Sequence, residues 1–174
     1  IVVRGAAAGA GLARPITPAR TRRASVARTL EILSDSWTFL VIREALFGVR
    51  RFQDFQAALG IPRSTLAERL DRLIEEGILR RQRYRAQPER FEYRLTEKGL
   101  DLYPSFIALM RWGDRWLSGG GAPPLALFHR ACGHWTEPRL ACSHCGGGVR
   151  AQRVDYRPGP GSGPRPSPAQ RRNR

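Results

Sequence analysis

Between Arg51 and Gly77 the chain reads RFQDFQAALGIPRSTLAERLDRLIEEG, and its apolar positions fall into two helical stripes. Phe52, Phe55 and Leu59 recur at i, i+3 and i+7, which predicts a helix from Phe52 to Leu59. Gly60 suits the left-handed residue that ends many helices. Pro62 suits the first turn of the next helix, where its missing N–H is no loss. Leu66, Leu70, Leu73 and Ile74 form the stripe of a second helix, Arg63 to Glu76, closed by Gly77. At about 100° per residue its opposite face carries Ser64, Thr65, Glu68 and Arg72, with Arg69 on the flank. Small hydroxyls in the first turn, arginines one turn on and leucines behind suit the recognition helix of a helix-turn-helix. The same pattern would also serve a plain amphipathic hairpin.

The next stretch separates the two readings. Ile78 to Tyr84 and Arg90 to Leu95 alternate apolar or aromatic with polar residues, the period of half-buried strands. A short connector, Arg85 to Glu89, contains a proline, as hairpin loops often do. Helix, turn, helix and basic hairpin together make a winged helix-turn-helix. A basic hairpin could be a solvated edge that deters aggregation. Placed after a recognition helix, it reads as a wing on the phosphate backbone.

The flanking segments complete the domain. Val26, Leu30 and Leu33 share one face of a short helix, Val26 to Leu33. Asp35 or Ser36 can cap the next, Trp37 to Phe47, whose nearly all-round apolar surface predicts burial. Arg50 and Arg51 follow, close enough to the helix pair to reach phosphate. Thr96 can cap a long helix from Glu97 to about Leu117, kinked at Pro104. That helix has two apolar stripes, more than a small domain uses, so part of it is expected to meet another chain.

Composition divides the rest. Residues 1–24 and 157–174 are rich in small residues, Pro, Gly and Arg, and are expected to be disordered tails. The domain occupies 25–118, the stretch GGGAPP at 119–124 reads as a linker, and 125–156 as a small Cys/His module. The expected class is mainly α with a small β-hairpin wing, plus a candidate zinc-ribbon-like module. Net charge is +15, which favours nucleic acid as a partner. Lys98 is the only lysine, and such an arginine bias can follow from genome base composition. Where the arginines fall therefore says more than their total. No apolar run approaches the ~20 residues that span a bilayer, and no secretory h-region is visible. A cytoplasmic protein is expected. All three cysteines lie between Cys132 and Cys145, and such clustering favours metal over disulfides.

The cluster runs His129-x2-Cys132-Gly133 and then Cys142-x2-Cys145-Gly146. Two short ligand pairs can supply the four N/S ligands of one structural Zn²⁺, and the glycines let the backbone turn around it. His129 repeats the spacing of the second pair and fits best as the fourth ligand. His134 is the runner-up, and His144, inside the second pair, fits least. Catalytic readings fit poorly. Zinc deaminases use H-x-E and P-C-x-x-C, but here Glu137 lies one residue too far from His134 and Ala141 precedes Cys142. GGGAPP lacks the Lys-Ser/Thr of a phosphate loop.

On these residues, Ala27 to Trp116 resembles the HxlR-type winged helix-turn-helix transcriptional regulators of bacteria. The matching segments are RTLEILSDSWTFLVIREALFGVRRFQDFQ, LAERLDRLIEEGIL, YRLTEKG and RWGDRW, in that order. The resemblance implies a homodimer on double-stranded operator DNA. It gives the recognition-helix role to Arg63, Ser64, Thr65, Glu68, Arg69 and Arg72, and the wing role to Arg85, Gln87 and Arg90. Arg51 joins them as a phosphate contact. Dimerisation falls on the first helix and on the helix after the wing. Many family members carry a cysteine just before the first helix, where this chain has Ser25. A hydroxyl cannot undergo thiol oxidation, so redox sensing at that position is not expected. The C-terminal module resembles an extension found in a subset of the family. A competing reading is a protein-interaction adaptor that works through the zinc-ribbon-like module, its winged domain degenerate. Ser64, Thr65, Arg69 and a basic wing argue against degeneracy.

Overall fold

A computed structural model describes residues 25–155. The tails expected at 1–24 and 157–174, and the last residue of the expected module, lie outside the described residues. Contacts divide the described chain into two units: Arg28–Pro138 forms one, and residues 25–27 and 139–155 belong to the other.

The described chain opens with α1 (Val26–Leu33) and α2 (Ser36–Leu46). Asp35 caps α2 by accepting the backbone N–H of Thr38 at 2.8 Å and its hydroxyl at 2.9 Å. That bond satisfies a first-turn amide that no helix carbonyl can reach. Helices α3 (Phe52–Leu59) and α4 (Arg63–Glu75) follow, then the antiparallel strands β1 (Leu79–Arg85) and β2 (Arg90–Leu95). Leu79 pairs with Leu95 and Arg83 with Phe91, and a bulge falls between Arg83 and Arg85. Arg51 bridges to Glu92, and the Tyr93 N–H donates to Arg50 O at 2.7 Å. The chain entering α3 is therefore stitched to the wing.

The core is the space that these elements enclose. Val41, Ile42 and Ala45 of α2, Phe55 of α3, and Leu66, Leu70 and Leu73 of α4 meet there with Ile61, Ile78, Leu79 and Phe106. Helix α2 is less uniformly apolar in its burial than its sequence suggests. Thr38 is fully buried on the Asp35 cap, and Glu44 is buried with Arg43 at 2.5 Å.

Two expectations need correction. Pro62 is the N-cap of α4, at φ −56° and ψ 139°, and not a first-turn residue. The long helix is broken, not kinked: α5 (Glu97–Leu100) stops and α6 (Tyr103–Leu117) starts afresh. Pro104 sits in the first turn of α6, where it has no hydrogen bond to remove. Phe106 and Ile107 of α6 are buried, and Phe106 stacks on Phe39 at 4.1 Å. Leu109, Trp112 and Trp116 are 52%, 56% and 62% exposed, so one apolar stripe of α6 is left open.

The division after Pro138 also differs from the boundary expected at 119–124. A small hairpin, β3 (Leu127–His129) with β4 (His134–Thr136), clusters with the winged unit. Arg111 of α6 explains this, donating to Pro138 O and approaching Glu137 at 3.4 Å.

The join from wing to α5 is dense. Thr96 Oγ1 accepts the Gly99 N–H at 3.2 Å and donates to Gly77 O at 2.6 Å. Lys98 Nζ donates to Glu76 O. The approach is so close that a Cβ on Gly99 would lie 2.4 Å from Ile78 O. Gly99→Ala should therefore cost at least ~2 kcal/mol, because backbone must move to admit the methyl. Gly113→Ala is the control. Its Cβ would meet nothing within 4 Å in mid-helix, so it should stabilise by about 0.5–1 kcal/mol. Denaturant unfolding of both variants checks the pair.

Candidate nucleic-acid interface

Burial of Leu66, Leu70 and Leu73 turns the opposite face of α4 to solvent. Arg63 and Ser64 begin the helix, both exposed, with Thr65 half-buried behind them. The Arg63 guanidinium lies 5.0 Å above the Phe52 ring, a cation–π contact that holds it beside the start of α3. Glu68 is exposed one turn further on.

Two arginines assigned to this face have other partners. Arg69 Nε donates to Asp35 Oδ2 at 2.8 Å, and its Nη1 reaches Glu68 at 3.1 Å. Arg72 Nη2 donates to Glu31 O at 2.6 Å, near the end of α1. Both tie α4 to the start of the domain. In the free protein Arg69 and Arg72 bond to Asp35 and Glu31, while Arg63, Ser64, Glu68 and Arg72 stand exposed and Thr65 and Arg69 are half-buried. Sequence periodicity placed Arg69 on the flank but could not show its partner, which lies 34 residues earlier.

Asp35 is the centre of that node. Desolvation pushes its pKa up, but bonds from the Thr38 N–H, the Thr38 hydroxyl and Arg69 outweigh it, and the carboxyl sits below its usual range.

The wing carries the second basic surface. Every residue from Arg80 to Arg90 is exposed. Arg85 Nε donates to Gln87 O at 3.0 Å and so folds over the hairpin tip, where the Gln87–Pro88 peptide is cis. Arg83 approaches Glu89 at 3.6 Å. Arg90 starts β2 and stands exposed. Arg51 is held from two sides, 4.8 Å from the centre of the Tyr84 ring and 3.7 Å from Glu92. Sequence reasoning missed Arg81, whose guanidinium covers the Phe91 ring at 3.5 Å. The alternation of arginine and aromatic along both strands was the available signal.

The expected metal ligands lie on two separate turns. His129 Nδ1 is 3.2 Å from Cys132 Sγ on the β3–β4 turn. Cys142 and Cys145 lie on the second unit, both as free thiols. Backbone N–H groups of Cys145 and His144, with the Cys145 side chain, hold the Cys142 thiol below the usual range. Among the described residues, no three His, Cys, Asp or Glu side chains are gathered around one metal position.

Residues 32–120 match the HxlR-like helix-turn-helix family. The chain belongs to that family. It is 50% identical over 137 residues to the uncharacterised HTH-type transcriptional regulator Rv3095 of Mycobacterium tuberculosis, covering 79% of this chain and 87% of that one. To the uncharacterised regulator YvaP of Bacillus subtilis it is 35% identical, over 52% of this chain and 84% of that one. Among solved structures it is similar to PA1607, described as a candidate transcription factor, with a TM-score of 0.67 and 30% identity. That match covers 79% of this chain and 98% of PA1607. PA1374 of Pseudomonas aeruginosa, also a candidate transcription factor, matches with a TM-score of 0.56 and 33% identity, over 79% and 93% of the two chains. The 137-residue match to Rv3095 is longer than the family segment 32–120, so the likeness extends beyond the winged domain.

The Asp35–Arg69 bridge has a direct test by double-mutant cycle. Asp35→Ala should cost about 1–2 kcal/mol through the lost cap, and Arg69→Ala about 1 kcal/mol. Because both remove the same contact, the double variant should lose less than the sum by about 0.5–1 kcal/mol. The Asp35 carboxylate has a depressed folded pKa, so its contribution should be complete above the ordinary carboxylate pKa of about 3.9. It should fade as pH falls through the lower folded value. Urea unfolding at several pH values reads both effects.

Proposed function

We propose that this chain regulates transcription as a homodimer that reads duplex operator DNA with α4 and grips phosphate with its wing. The family is one of helix-turn-helix transcriptional regulators, and this chain is one of them by membership. The operator contacts, the dimer and the residue roles are the proposal. The observation that carries it is the exposed pair Arg63 and Ser64, presented by a helix whose other face is locked into the core. Base edges are read from a helix N-terminus in the major groove, while arginines on a hairpin set the register on the backbone. A cytoplasmic site of action accompanies this reading. Among the described residues, no helix is long and apolar enough to cross a membrane.

The dimer reading rests on α6. Leu109, Trp112 and Trp116 form an exposed apolar stripe, too large a set to leave in water without a partner. A two-fold pair would present two copies of α4 about 34–36 Å apart, one turn of DNA. Light scattering at micromolar concentration should give twice the chain mass. Trp112→Glu with Trp116→Glu should shift it to the monomer while the far-ultraviolet circular dichroism stays unchanged. A monomer mass for the parent chain, with or without operator, contradicts the dimer.

Base and backbone contacts separate by their sequence and salt dependence. Arg63→Ala should cost about 1–3 kcal/mol on the operator and relax preference at one position. Arg90→Ala should weaken every sequence alike and lower the salt slope by about one. Operator and scrambled duplexes titrated at several salt concentrations distinguish them. Reversed behaviour of the two variants contradicts the assignment of helix and wing.

A further inference from the structure

The winged unit holds a cavity that neither the DNA surfaces nor the core uses. It lies between α6 and the β3–β4 hairpin, measures about 530 Å³ and is open to solvent. Every residue that lines it falls between Met110 and Pro138, inside the Arg28–Pro138 unit. Sites for small organic ligands usually measure roughly 300–1,000 Å³.

Arg111 sets the gap. It donates to Pro138 O and approaches Glu137 at 3.4 Å, which pins the chain after β4 to α6. Met110 of α6 lines one side, and Leu125, Leu127 and Trp135 line the other. Leu125 is 50% and Trp135 72% exposed, so the protein's own side chains do not fill the space. The Trp135 ring is held by Phe128, edge to face at 5.4 Å. A restrained indole opposite a thioether makes a receptive surface for a flat aromatic ring.

The charged lining narrows the class. Arg111 and Glu137 occupy each other. Asp114 and Arg115 remain, and among the described residues neither forms an ion pair. Asp114 is half-buried, and Arg115 lies over the Trp116 ring at 4.9 Å. The cavity therefore offers one uncommitted acceptor and one uncommitted donor, and its four charged side chains sum to zero. A hydroxyl satisfies both, since it donates one hydrogen bond and accepts another. An anion would meet Asp114 and a cation would meet Arg115, so a charged ligand of either sign is disfavoured.

We propose that this cavity binds a neutral aromatic alcohol of the phenol class, as the effector of the regulator. The ring packs between Met110 and Trp135, and the hydroxyl donates to Asp114 and accepts from Arg115. Burial of exposed leucine and indole surface supplies the affinity, and the two polar side chains choose the class. The neighbouring face of α6 carries Leu109, Trp112 and Trp116, so a ligand against this helix bears on the surface that meets the second copy. The effector role rests on the dimeric regulator reading, whereas the binding does not.

Isothermal titration calorimetry of the full chain with 2-naphthol, which is neutral at pH 7, tests the site. A dissociation constant below about 1 mM is expected for a ligand of this size. Asp114→Ala should weaken it roughly fivefold, the worth of one hydrogen bond, and Trp135→Ala roughly tenfold. Asp114→Ala lies outside the hairpin and the core, so its result does not depend on the hairpin surviving the loss of Trp135. 2-Naphthoate and 2-naphthylmethylammonium should bind more weakly than 2-naphthol. No heat at millimolar 2-naphthol, tighter binding of either charged probe, or unchanged affinity in Asp114→Ala would each overturn the proposal. In a second arm, saturating 2-naphthol should change operator affinity at least about fivefold in the parent chain. Unchanged operator affinity with the ligand bound overturns the effector role. Absence of operator binding while 2-naphthol still binds contradicts the regulator reading and leaves the binding site standing.

Discussion

Three leucines without exposed surface, Leu66, Leu70 and Leu73, fix which way α4 faces. Truncating any one to alanine would cost roughly 2–5 kcal/mol, so the helix has no freedom to roll. Its polar face points outward as a consequence of that burial. Asp35 then sets where the helix lies. One carboxylate caps α2 through Thr38 and receives Arg69 from α4, so the start of α2 and the middle of α4 are fixed to one group. Arg72 adds a bond to the end of α1. The outward residues of α4 are thus aimed mostly by groups behind them, with Arg69 also reaching Glu68.

The bond network also changes how the charge should be read. A net charge of +15 suggests a uniformly cationic surface. Arg43, Arg69 and Arg94 instead lie within 2.8 Å of carboxylates. Arg51 and Arg81 lie over tyrosine and phenylalanine rings. The aromatic contacts leave the charge available to solvent while restricting the side chain, which lowers the entropy lost when it meets phosphate. Charge on the wing is thus partly preorganised, and charge on the inner flank of α4 is structural.

Much of this was legible in the chain alone. The spacing of Phe52, Phe55 and Leu59 gave α3 to the residue, and the leucine stripe gave α4 to within one residue at its end. Periodicity reports which face of an element is apolar, and burial follows from that. It does not report partners distant in sequence. For that reason the bond between Arg69 and Asp35, 34 residues apart, is not legible in the sequence pattern. Gly99 carried no signal at all, since its need for a bare Cα arises from the Ile78 carbonyl packed against it. A proline in an apolar helical pattern is compatible with a kink or with a new helix start, and what separates the two is the i→i−3 bonding at the join, Leu102 N–H to Gly99 O and Ser105 N–H to Leu102 O. The boundary after Pro138 was hidden because Arg111 reaches the chain beyond the Gly/Pro stretch.

The central claim is that the exposed first turn of α4 enters the major groove of duplex DNA. Methylation interference on the operator tests this without altering the protein, because guanine N7 lies in the major groove and adenine N3 in the minor. The account predicts that N7 methylation blocks binding at two clusters about one helical turn apart, with backbone protection flanking each. Interference confined to adenine N3, or no interference at any base despite tight binding, would contradict it.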